Sequence, residues 1–244
     1  MASKIEWTDE TWNPVTGCQK VSQGCRNCYA ERIAMRLKRD GQPRYRNGFK
    51  TTIHDDLLQK PLEWKRKPRK IFVCSMSDLF QEEVPESFIG EVFEVMKRAR
   101  QHTFMVLTKR AQRMSQWGSP WPNNVWAGVS VEADRYAARI DFLRRIQAKV
   151  KFVSFEPLLS EITDLDMSGI DWVIVGGEQA PKEPRKMETE WAEQIQAACK
   201  LQGVPFFFKQ WGSAHGLLGN QDRQIRGQVC EDAPLPAGSQ PSLF

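Results

Sequence analysis

Short apolar runs alternate with longer amphipathic runs along most of the chain. The apolar runs are rich in Val, Ile and Phe, as expected for short strands that are buried on both faces. They are "KIFVC" (70–74), "FMVLT" (104–108), "VWAGVS" (125–130), "KFVSF" (151–155), "DWVIVG" (171–176) and "PFFFK" (205–209). A further strand is predicted near "TWNPVT" (11–16), ahead of a cysteine-rich loop.

Between these runs the apolar residues recur at helical spacing. The predicted helices are "PESFIGEVFEVMKRAR" (85–100), "EADRYAARIDFLRRIQ" (132–147), "ETEWAEQIQAACKLQG" (188–203) and one that begins near Tyr29. Strands that alternate with helices predict parallel βαβ units with right-handed crossovers. About six to seven such units favour an α/β fold that is a full or partial (β/α) barrel. An open doubly wound sheet gives a similar pattern and remains the alternative.

The composition changes near residue 211. Residues 1–211 carry the repeating units, whereas residues 212–244 are rich in Gly, Pro, Ser and Gln, so we expect a barrel domain followed by a loose C-terminal extension. The N-terminal sequence lacks the basic flank and apolar run of a signal peptide, and no stretch approaches the roughly 18 apolar residues of a membrane span. A cytoplasmic protein with reduced thiols and no membrane partner is expected. The net charge of +5 does not by itself indicate nucleic acid.

Polar residues and glycines follow each predicted strand. In parallel α/β folds, ligands gather at the carboxyl ends of the strands. The candidates there are Ser75, Ser77, Asp78, Lys109, Arg110, Ser130, Glu132, Glu156, Gly176, Gly177, Glu178, Lys209, Gln210 and Trp211. Helix capping explains any one of these residues, but it does not explain the whole set. Carboxylates, hydroxyls, a lysine and a glycine pair together fit a ligand with an amino group, a carboxylate and a ribose.

Three cysteines lie close together in the loop after the first predicted strand, namely Cys18, Cys25 and Cys28. In a reducing compartment such a group is more typical of metal ligation than of disulfides. Iron–sulfur clusters normally take four thiolates, so three thiolates leave one position for an external molecule. A zinc site with His54 or Cys74 as fourth ligand is an alternative, although zinc sites favour two C-x2-C pairs. A thiol–disulfide pair would leave Cys18 unexplained.

The segment "GCQKVSQGCRNCYAER", followed by βα units, resembles the radical S-adenosylmethionine (SAM) superfamily. With "IEWTDETWNPVTGC", "SMSDLF", "LTKR", "GVSVE", "SFEPLL" and "VGGE", residues 4–211 are most similar to the bacteriophage-associated three-Cys-motif proteins, whose function is unsettled. The resemblance implies a [4Fe–4S] cluster on the three cysteines, with SAM bound to the open iron. Reduction by an electron donor would cleave SAM to methionine and a 5′-deoxyadenosyl radical, which takes hydrogen from a substrate.

The resemblance also implies roles for individual residues. By strand position, Ser75 to Asp78 correspond to the superfamily's amino-binding motif, and Ser130 and Glu132 to its ribose and carboxylate contacts. Glu156 lies near the fifth-strand motif, and Tyr29 is expected to contact the methionyl group. The cysteine spacing of six residues and then two is longer than the usual three and two. A longer loop can still close on a cluster because loop-closure entropy grows slowly with length.

Nine tryptophans are many for 244 residues. Four of them lie in or beside the predicted loops together with basic residues: Trp12, Trp117, Trp121 and Trp211 with Lys109, Arg110, Arg113 and Lys209. These residues could stack bases and contact phosphates, although packing under loops explains the tryptophans equally well. "CYAER" also resembles the cysteine segment of the spore photoproduct lyase group, which repairs DNA.

The resemblance therefore implies a radical SAM enzyme, and we hypothesise that it modifies or repairs a nucleic acid or nucleotide. The expected substrate contacts are Arg110, Glu178, Lys209, Gln210 and Trp211. A small metabolite or a peptide is the other substrate class. A non-enzymatic nucleic-acid-binding module with a structural zinc is the alternative from a different class of protein.

Overall fold

A computed structural model of the protein describes residues 5–64, 67–217 and 219–234, so the predictions for residues 1–4 and 235–244 lie outside the described residues. Seven parallel strands form one sheet in chain order. They are β1 (Glu10–Trp12), β2 (Lys70–Val73), β3 (Thr103–Thr108), β4 (Val125–Ser130), β5 (Lys151–Phe155), β6 (Trp172–Gly176) and β7 (Phe206–Gln210). The sheet curves into a half-barrel with helices between its strands, so the partial-barrel prediction is confirmed.

The helices are α1 (Tyr29–Arg39), α2 (Asp55–Leu58), α3 (Lys60–Glu63), α4 (Glu86–Arg98), α5 (Ala111–Ser115), α6 (Arg139–Arg144) and α7 (Thr189–Gln202). Helices α2 to α7 pack on the outer face of the half-barrel, whereas α1 packs through Ala30 and Ala34 against Met76, in the loop after β2. The residue after α7 is Gly203, whose φ of 67° suits the left-handed C-cap that the sequence predicted. Within the described part of the chain, no helix is long and apolar enough to cross a membrane.

The first strand is shorter than the sequence suggested. β1 ends at Trp12, and Val15–Thr16 instead pairs in antiparallel fashion with Thr52–Ile53. Pro14 lies between the two segments and has no N–H to continue the parallel ladder. The Asn13 side chain accepts a hydrogen bond from the N–H of Met76 at 2.9 Å, which ties this bend to the loop after β2.

The segment 132–147 forms a much shorter helix than predicted. Only α6 is helical, and it is preceded by a 3-10 turn over Asp134–Tyr136. Glu132 turns away from the helix into the half-barrel, where it is fully buried and pairs with Lys109 and Arg139. The apolar spacing favours a helix that starts near residue 132, but the backbone leaves the helical path there so that the Glu132 carboxylate can pair with its two cations. Burying this carboxylate without a partner would cost a large amount of folding free energy.

The sheet packs on both faces. Its outer face and helices α2 to α7 share one large core, while its concave face carries a second core made largely of aromatic rings. The concave core consists of Trp7, Phe72, Met105, Trp126, Val150, Phe152, Trp172, Ile174 and Phe207. Gly128 of β4 leaves room for the Phe152 ring, because a side chain at that position would overlap it.

The described part of the C-terminal segment is attached to β7. Gln224–Ile225 and Gln228–Val229 form a small hairpin, and Ile225 is buried. The N–H of Phe208 donates to the carbonyl of Cys230 at 2.8 Å. Whether this segment is a unit separate from the barrel stays a prediction.

Candidate active site

Acidic side chains follow the carboxyl ends of four strands, and each of them is paired with a lysine or arginine side chain. Asp78 follows β2, Glu132 follows β4, Glu156 follows β5 and Glu178 follows β6. The pairs are Asp78–Arg110, Glu132–Lys109, Glu132–Arg139, Glu156–Lys209 and Glu178–Arg185. The structure therefore places these acids and cations together at the carboxyl end of the half-barrel, which we call the mouth. They are already paired with one another there.

The cysteine loop runs across this mouth between β1 and α1. Cys18, Cys25 and Cys28 are free thiols, all partly exposed. The loop begins at Gly17, whose φ is 80° and whose missing side chain allows the carbonyl of Lys50 to approach. The N–H of Gly17 donates to the carbonyl of Met76 at 2.9 Å, which joins the start of the cysteine loop to the loop after β2.

Cys18 lies against the inner wall of the mouth. Arg110 donates from Nη1 to the Cys18 sulfur at 3.4 Å and to Asp78 at 3.1 Å. Burial and the charge of Asp78 raise the pKa of the Cys18 thiol to about 12, although Arg110 acts in the opposite direction. Without a metal, Cys18 therefore keeps its proton at neutral pH, and metal binding would have to release it.

Glu132 holds the first half of the cysteine loop. Ser22 donates to Glu132 Oε1, and Lys109 Nζ and Arg139 Nη1 lie at 2.8 and 2.6 Å from its carboxylate oxygens. Burial raises the pKa of this carboxyl, but the two cations outweigh burial and lower it below the usual 4.5. Gly24 packs so closely on Glu132 that a Cβ there would lie 2.6 Å from its Cγ.

Glu178 holds the second half of the loop. Asn27 donates from Nδ2 to Glu178 Oε2 at 2.9 Å, and the N–H and Nε of Arg185 each donate to the same oxygen at 3.0 Å. Arg185 also donates from Nη1 to the carbonyl of Gln23 at 3.0 Å. The loop between Cys18 and Cys28 is thus fastened to two buried carboxylates, one on each side.

Hydrogen bonds from the protein itself fill the acceptor positions of the Asp78 carboxylate. It accepts hydrogen bonds from Thr108 Oγ1 at 2.6 Å and from the N–H groups of Lys109 and Phe80, both at 3.0 Å, in addition to Arg110. A ligand ammonium could bind Asp78 only by displacing one of these donors. Its predicted role as an amino-group acceptor stays a prediction.

Tyr29 and the two serines after β2 connect the loop to the sheet. The Tyr29 hydroxyl donates to the carbonyl of Ser75 at 2.5 Å, and Ser77 Oγ donates to the carbonyl of Gly17 at 2.6 Å. Ser75 Oγ exchanges hydrogen bonds with the Asn13 amide at 3.1 and 3.2 Å. These three residues therefore stabilise the base of the loop, and their predicted contacts with SAM are not tested by this arrangement.

The last strands complete the mouth. Lys209 Nζ lies 2.8 Å from Glu156 Oε1, and a Cβ on Gly176 would lie 2.7 Å from the same oxygen. Gln210 is buried and donates to the carbonyl of Gly177 at 2.8 Å. Its Oε1 accepts no hydrogen bond from the described residues. This amide oxygen is a buried acceptor that a ligand N–H could satisfy.

The predicted tryptophans are mainly packing residues. Trp12 is 2% exposed and donates to the carbonyl of Leu57 at 2.8 Å, so it is not available to stack a base. Trp117 and Trp121 pack against Phe93, with ring centroids 5.5 and 5.0 Å away. Trp211 is also buried, and its indole donates to the carbonyl of Gln224. Packing under loops accounts for all four.

Sequence reasoning missed three residues that shape the site: Ser22, Arg139 and Arg185. Arg139 lies seven residues after Glu132, but the helix begins only at Arg139, so helical spacing does not explain this pair. The contacts of Ser22 and Arg185 depend on how distant loops cross over the mouth, which local patterns do not show.

The thiols are not arranged for a single metal ion. Among the described residues, no three His, Cys, Asp or Glu side chains converge closely enough to hold one. The two predicted fourth ligands of a zinc site have other roles: His54 Nε2 lies 2.8 Å from Thr16 Oγ1, and Cys74 is buried in the outer core. Three thiols on one loop, each of which can bind a different iron, fit the soft donor set of an iron–sulfur cluster.

The fold places the chain among partial (β/α) barrels. A structure of spore photoproduct lyase complexed with dinucleoside spore photoproduct is similar, with a TM-score of 0.50 and 12% identity, over 81% of this chain and 62% of that chain. A cysteine-to-serine mutant of the lyase gives a TM-score of 0.52 at 12% identity over the same shares of the two chains. The chain thus spans less than two thirds of the length of these structures, and such low identity shows a common fold alone.

The particular family is identified by sequence. The chain belongs to the family described as "Protein of unknown function (DUF5131)", which matches residues 2–234. No curated protein matches the chain. The family assignment covers both the half-barrel and the described part of the C-terminal segment.

Proposed function

We propose that this protein is a radical SAM enzyme whose [4Fe–4S] cluster is bound by Cys18, Cys25 and Cys28. The observation that carries the proposal is the position of three partly exposed thiols on one loop at the carboxyl-terminal mouth of a half-barrel. The similarity of this half-barrel to that of spore photoproduct lyase supports it. A bound cluster, reduced by an external low-potential electron donor, would supply the electron that cleaves SAM into methionine and a 5′-deoxyadenosyl radical.

The chain's own residues would hold and orient these groups. Arg110 donates to the Cys18 sulfur, and such N–H···S hydrogen bonds raise the reduction potential of a cluster. Glu132 and Glu178 fix the loop, so the three thiols keep their relative positions before any metal arrives. Pre-organisation of this kind lowers the cost of ligand binding.

SAM would bind beside the cluster at the ends of the later strands. Ser130, Glu156, Gly176 and Gly177 lie there, and we retain them with Glu132 as candidates for its ribose, carboxylate and adenine. Gln210 Oε1, which accepts no hydrogen bond from the described residues, suits an N–H donor such as the amino group of adenine.

We further propose a nucleic acid or a nucleotide as the substrate. Supporting this choice, the similar lyase structure is complexed with a dinucleoside photoproduct. Two cations within the cysteine loop are also largely exposed: the Lys20 and Arg26 side chains are 51% and 63% exposed, each beside a carboxylate, Glu31 at 2.7 Å and Glu183 at 3.4 Å. Cations of this kind contact phosphates. The phage-associated grouping and the cytoplasmic location stay expectations from the sequence.

Anaerobic reconstitution with iron and sulfide tests the enzyme proposal. We expect a [4Fe–4S]⁺ EPR signal after reduction, and a change in that signal when SAM is added. Replacing Cys18, Cys25 or Cys28 with Ser should abolish the cluster, whereas Cys230→Ser is the matched control because Cys230 is also partly exposed but lies outside the loop. A protein that holds one zinc and forms no cluster would instead support the non-enzymatic binding module.

A further inference from the structure

A cavity of about 700 Å³ opens beside Cys18. None of the four acids that follow the strands lines this cavity. Its lining includes Cys18, Gln19, Phe49, Lys50, Thr51 and Glu83. Arg110 contacts the Cys18 sulfur but does not line the cavity, so Cys18 forms a wall between the ion-paired mouth and this second space. Its volume is within the roughly 300–1,000 Å³ range of small-molecule sites.

The walls of the cavity are fixed by a buried glutamine. The amide oxygen of Gln81 accepts from the N–H of Gln19 at 3.3 Å and from Thr51 Oγ1 at 3.1 Å. Its amide nitrogen donates to the carbonyl of Gly17 at 2.8 Å. The N–H of Cys18 also donates to the carbonyl of Phe49 at 3.2 Å. The cysteine loop and the segment 49–51 are therefore joined into one pre-formed frame around the cavity.

The lining offers three kinds of contact. Phe49 supplies an aromatic ring, and Lys50 supplies an exposed ammonium that forms no ion pair within the described parts of the chain. Gln19 donates from Nε2 to Glu83 Oε1 at 2.9 Å, so an amide and a carboxylate stand together at the exposed rim. In nucleic-acid sites, an aromatic ring face stacks on a base and a cation contacts the phosphate. Amide and carboxylate groups form hydrogen bonds with the edge of the base.

We propose that this cavity binds one unpaired nucleotide of the substrate strand. The base stacks on Phe49, its exocyclic amino group donates to Glu83, and the adjoining phosphate contacts Lys50. The proposal rests on the proposed function, since the Cys18 wall places this nucleotide beside the cluster. It goes further by naming the recognition residues, and by favouring bases with an amino group over thymine or uracil.

Binding of fluorescein-labelled single-stranded oligonucleotides of about ten nucleotides tests the proposal by anisotropy. The full-length protein is used without SAM or reductant, so a failure to build the cluster does not affect the result. We expect oligodeoxycytidine to bind more tightly than oligothymidine, and Glu83→Gln to remove that preference. Phe49→Leu should weaken binding about tenfold, because a stacked base contributes strongly to affinity.

Lys50→Glu is the third variant, since Lys50 is exposed and its replacement should not disturb folding. It should weaken binding and reduce the slope of log affinity against log salt by about one. Lys149→Glu is the control, because Lys149 is an exposed lysine that lies before β5 at the opposite end of the sheet. Unchanged affinity in Lys50→Glu or no binding by the wild-type protein would overturn the proposal, as would displacement of the oligonucleotide when SAM is added in a separate titration.

Discussion

Gly24 shows how one missing side chain sets the path of the cysteine loop. It is buried against Glu132, which is itself fully buried and bonded to Ser22. A Cβ at position 24 would lie 2.6 Å from both Cγ and Oε1 of Glu132. Because Glu132 is also held by Lys109 and Arg139, it cannot turn aside without breaking buried ion pairs.

We therefore predict that Gly24→Ala displaces the loop and lowers cluster loading. Iron and sulfide analysis after anaerobic reconstitution would measure the loss, and thermal unfolding would show that the half-barrel remains folded. Gly118→Ala is the matched control, since a Cβ at that position meets no atom within 4 Å. Full loading of Gly24→Ala would show that the loop tolerates a shift at this contact.

The candidate residues were predictable from the sequence, but their pairing was not. Each acid follows a strand, and this position alone identified Asp78, Glu132, Glu156 and Glu178. The partner of Glu156 is Lys209, which lies 53 residues later, and the two meet only because β6 and β7 complete the curve of the sheet. Local sequence patterns predict where each strand ends and which residue follows it. The partner of each acid across the mouth depends on how the folded sheet curves, which local patterns do not show.

At the scale of elements, β2 to β7 were predicted closely, whereas β1 and α6 were not. β4 was expected over residues 125–130 and β5 over 151–155, as observed, because β-branched and aromatic runs buried on both faces are distinctive. The expected helix over 132–147 shrank to six residues. Helical periodicity favoured an early start, but burial of Glu132 with its cations requires a different backbone path at that point.

The segment after β6 acts on the cysteine loop through Glu178. Burial raises the pKa of Glu178, but hydrogen bonds from Arg185 and Asn27 outweigh burial and lower it below 4.5. A carboxyl whose folded pKa is depressed stabilises the fold fully above its unfolded pKa and loses that contribution as the pH falls through its folded pKa. The Glu178 contacts are thus complete near neutral pH and weaken below about pH 4.5.

We predict that Glu178→Gln lowers stability at neutral pH and makes it less sensitive to acid. Urea unfolding between about pH 3 and pH 7 would show a smaller drop in stability for the variant than for the wild-type protein. Glu91→Gln provides the control because Glu91 is exposed on α4 and should leave the pH profile unchanged. Parallel profiles for Glu178→Gln and the wild-type protein would contradict this account.

At the scale of the whole molecule, the concave face is closed by the N-terminal segment. Trp7 is buried there, with its ring centroid 4.9 Å from that of Phe72 and 6.1 Å from that of Trp172. Trp172 donates to the carbonyl of Asp232 at 2.7 Å, so the described ends of the chain meet beneath the same aromatic core. Local sequence patterns do not predict this arrangement, because Trp7 and Asp232 each reach Trp172 through a contact between distant parts of the chain.

Trp7→Ala should destabilise the protein by about 3–5 kcal/mol, as expected when a large buried aromatic side chain is removed. Trp7→Phe should cost less than about 1.5 kcal/mol, since it keeps a ring and removes an indole N–H that has no partner in the described part of the chain. Urea unfolding measures both values. Equal losses in the two variants would contradict the view that a single aromatic ring at this position keeps most of the packing.

The paired charges at the mouth have a consequence for how it would receive a ligand. Each acid already has a cation beside it, so the site offers few unbalanced charges to attract a small ion from a distance. A molecule that carries both an ammonium and a carboxylate, as SAM does, can exchange partners with such a pair, taking the acid with one group and the released base with the other. Such a ligand would displace both counter-ions of the pair, so the site would select zwitterions and its affinity for them would depend little on salt concentration. A nucleic-acid strand held through its phosphates would instead lose affinity as the salt concentration rises.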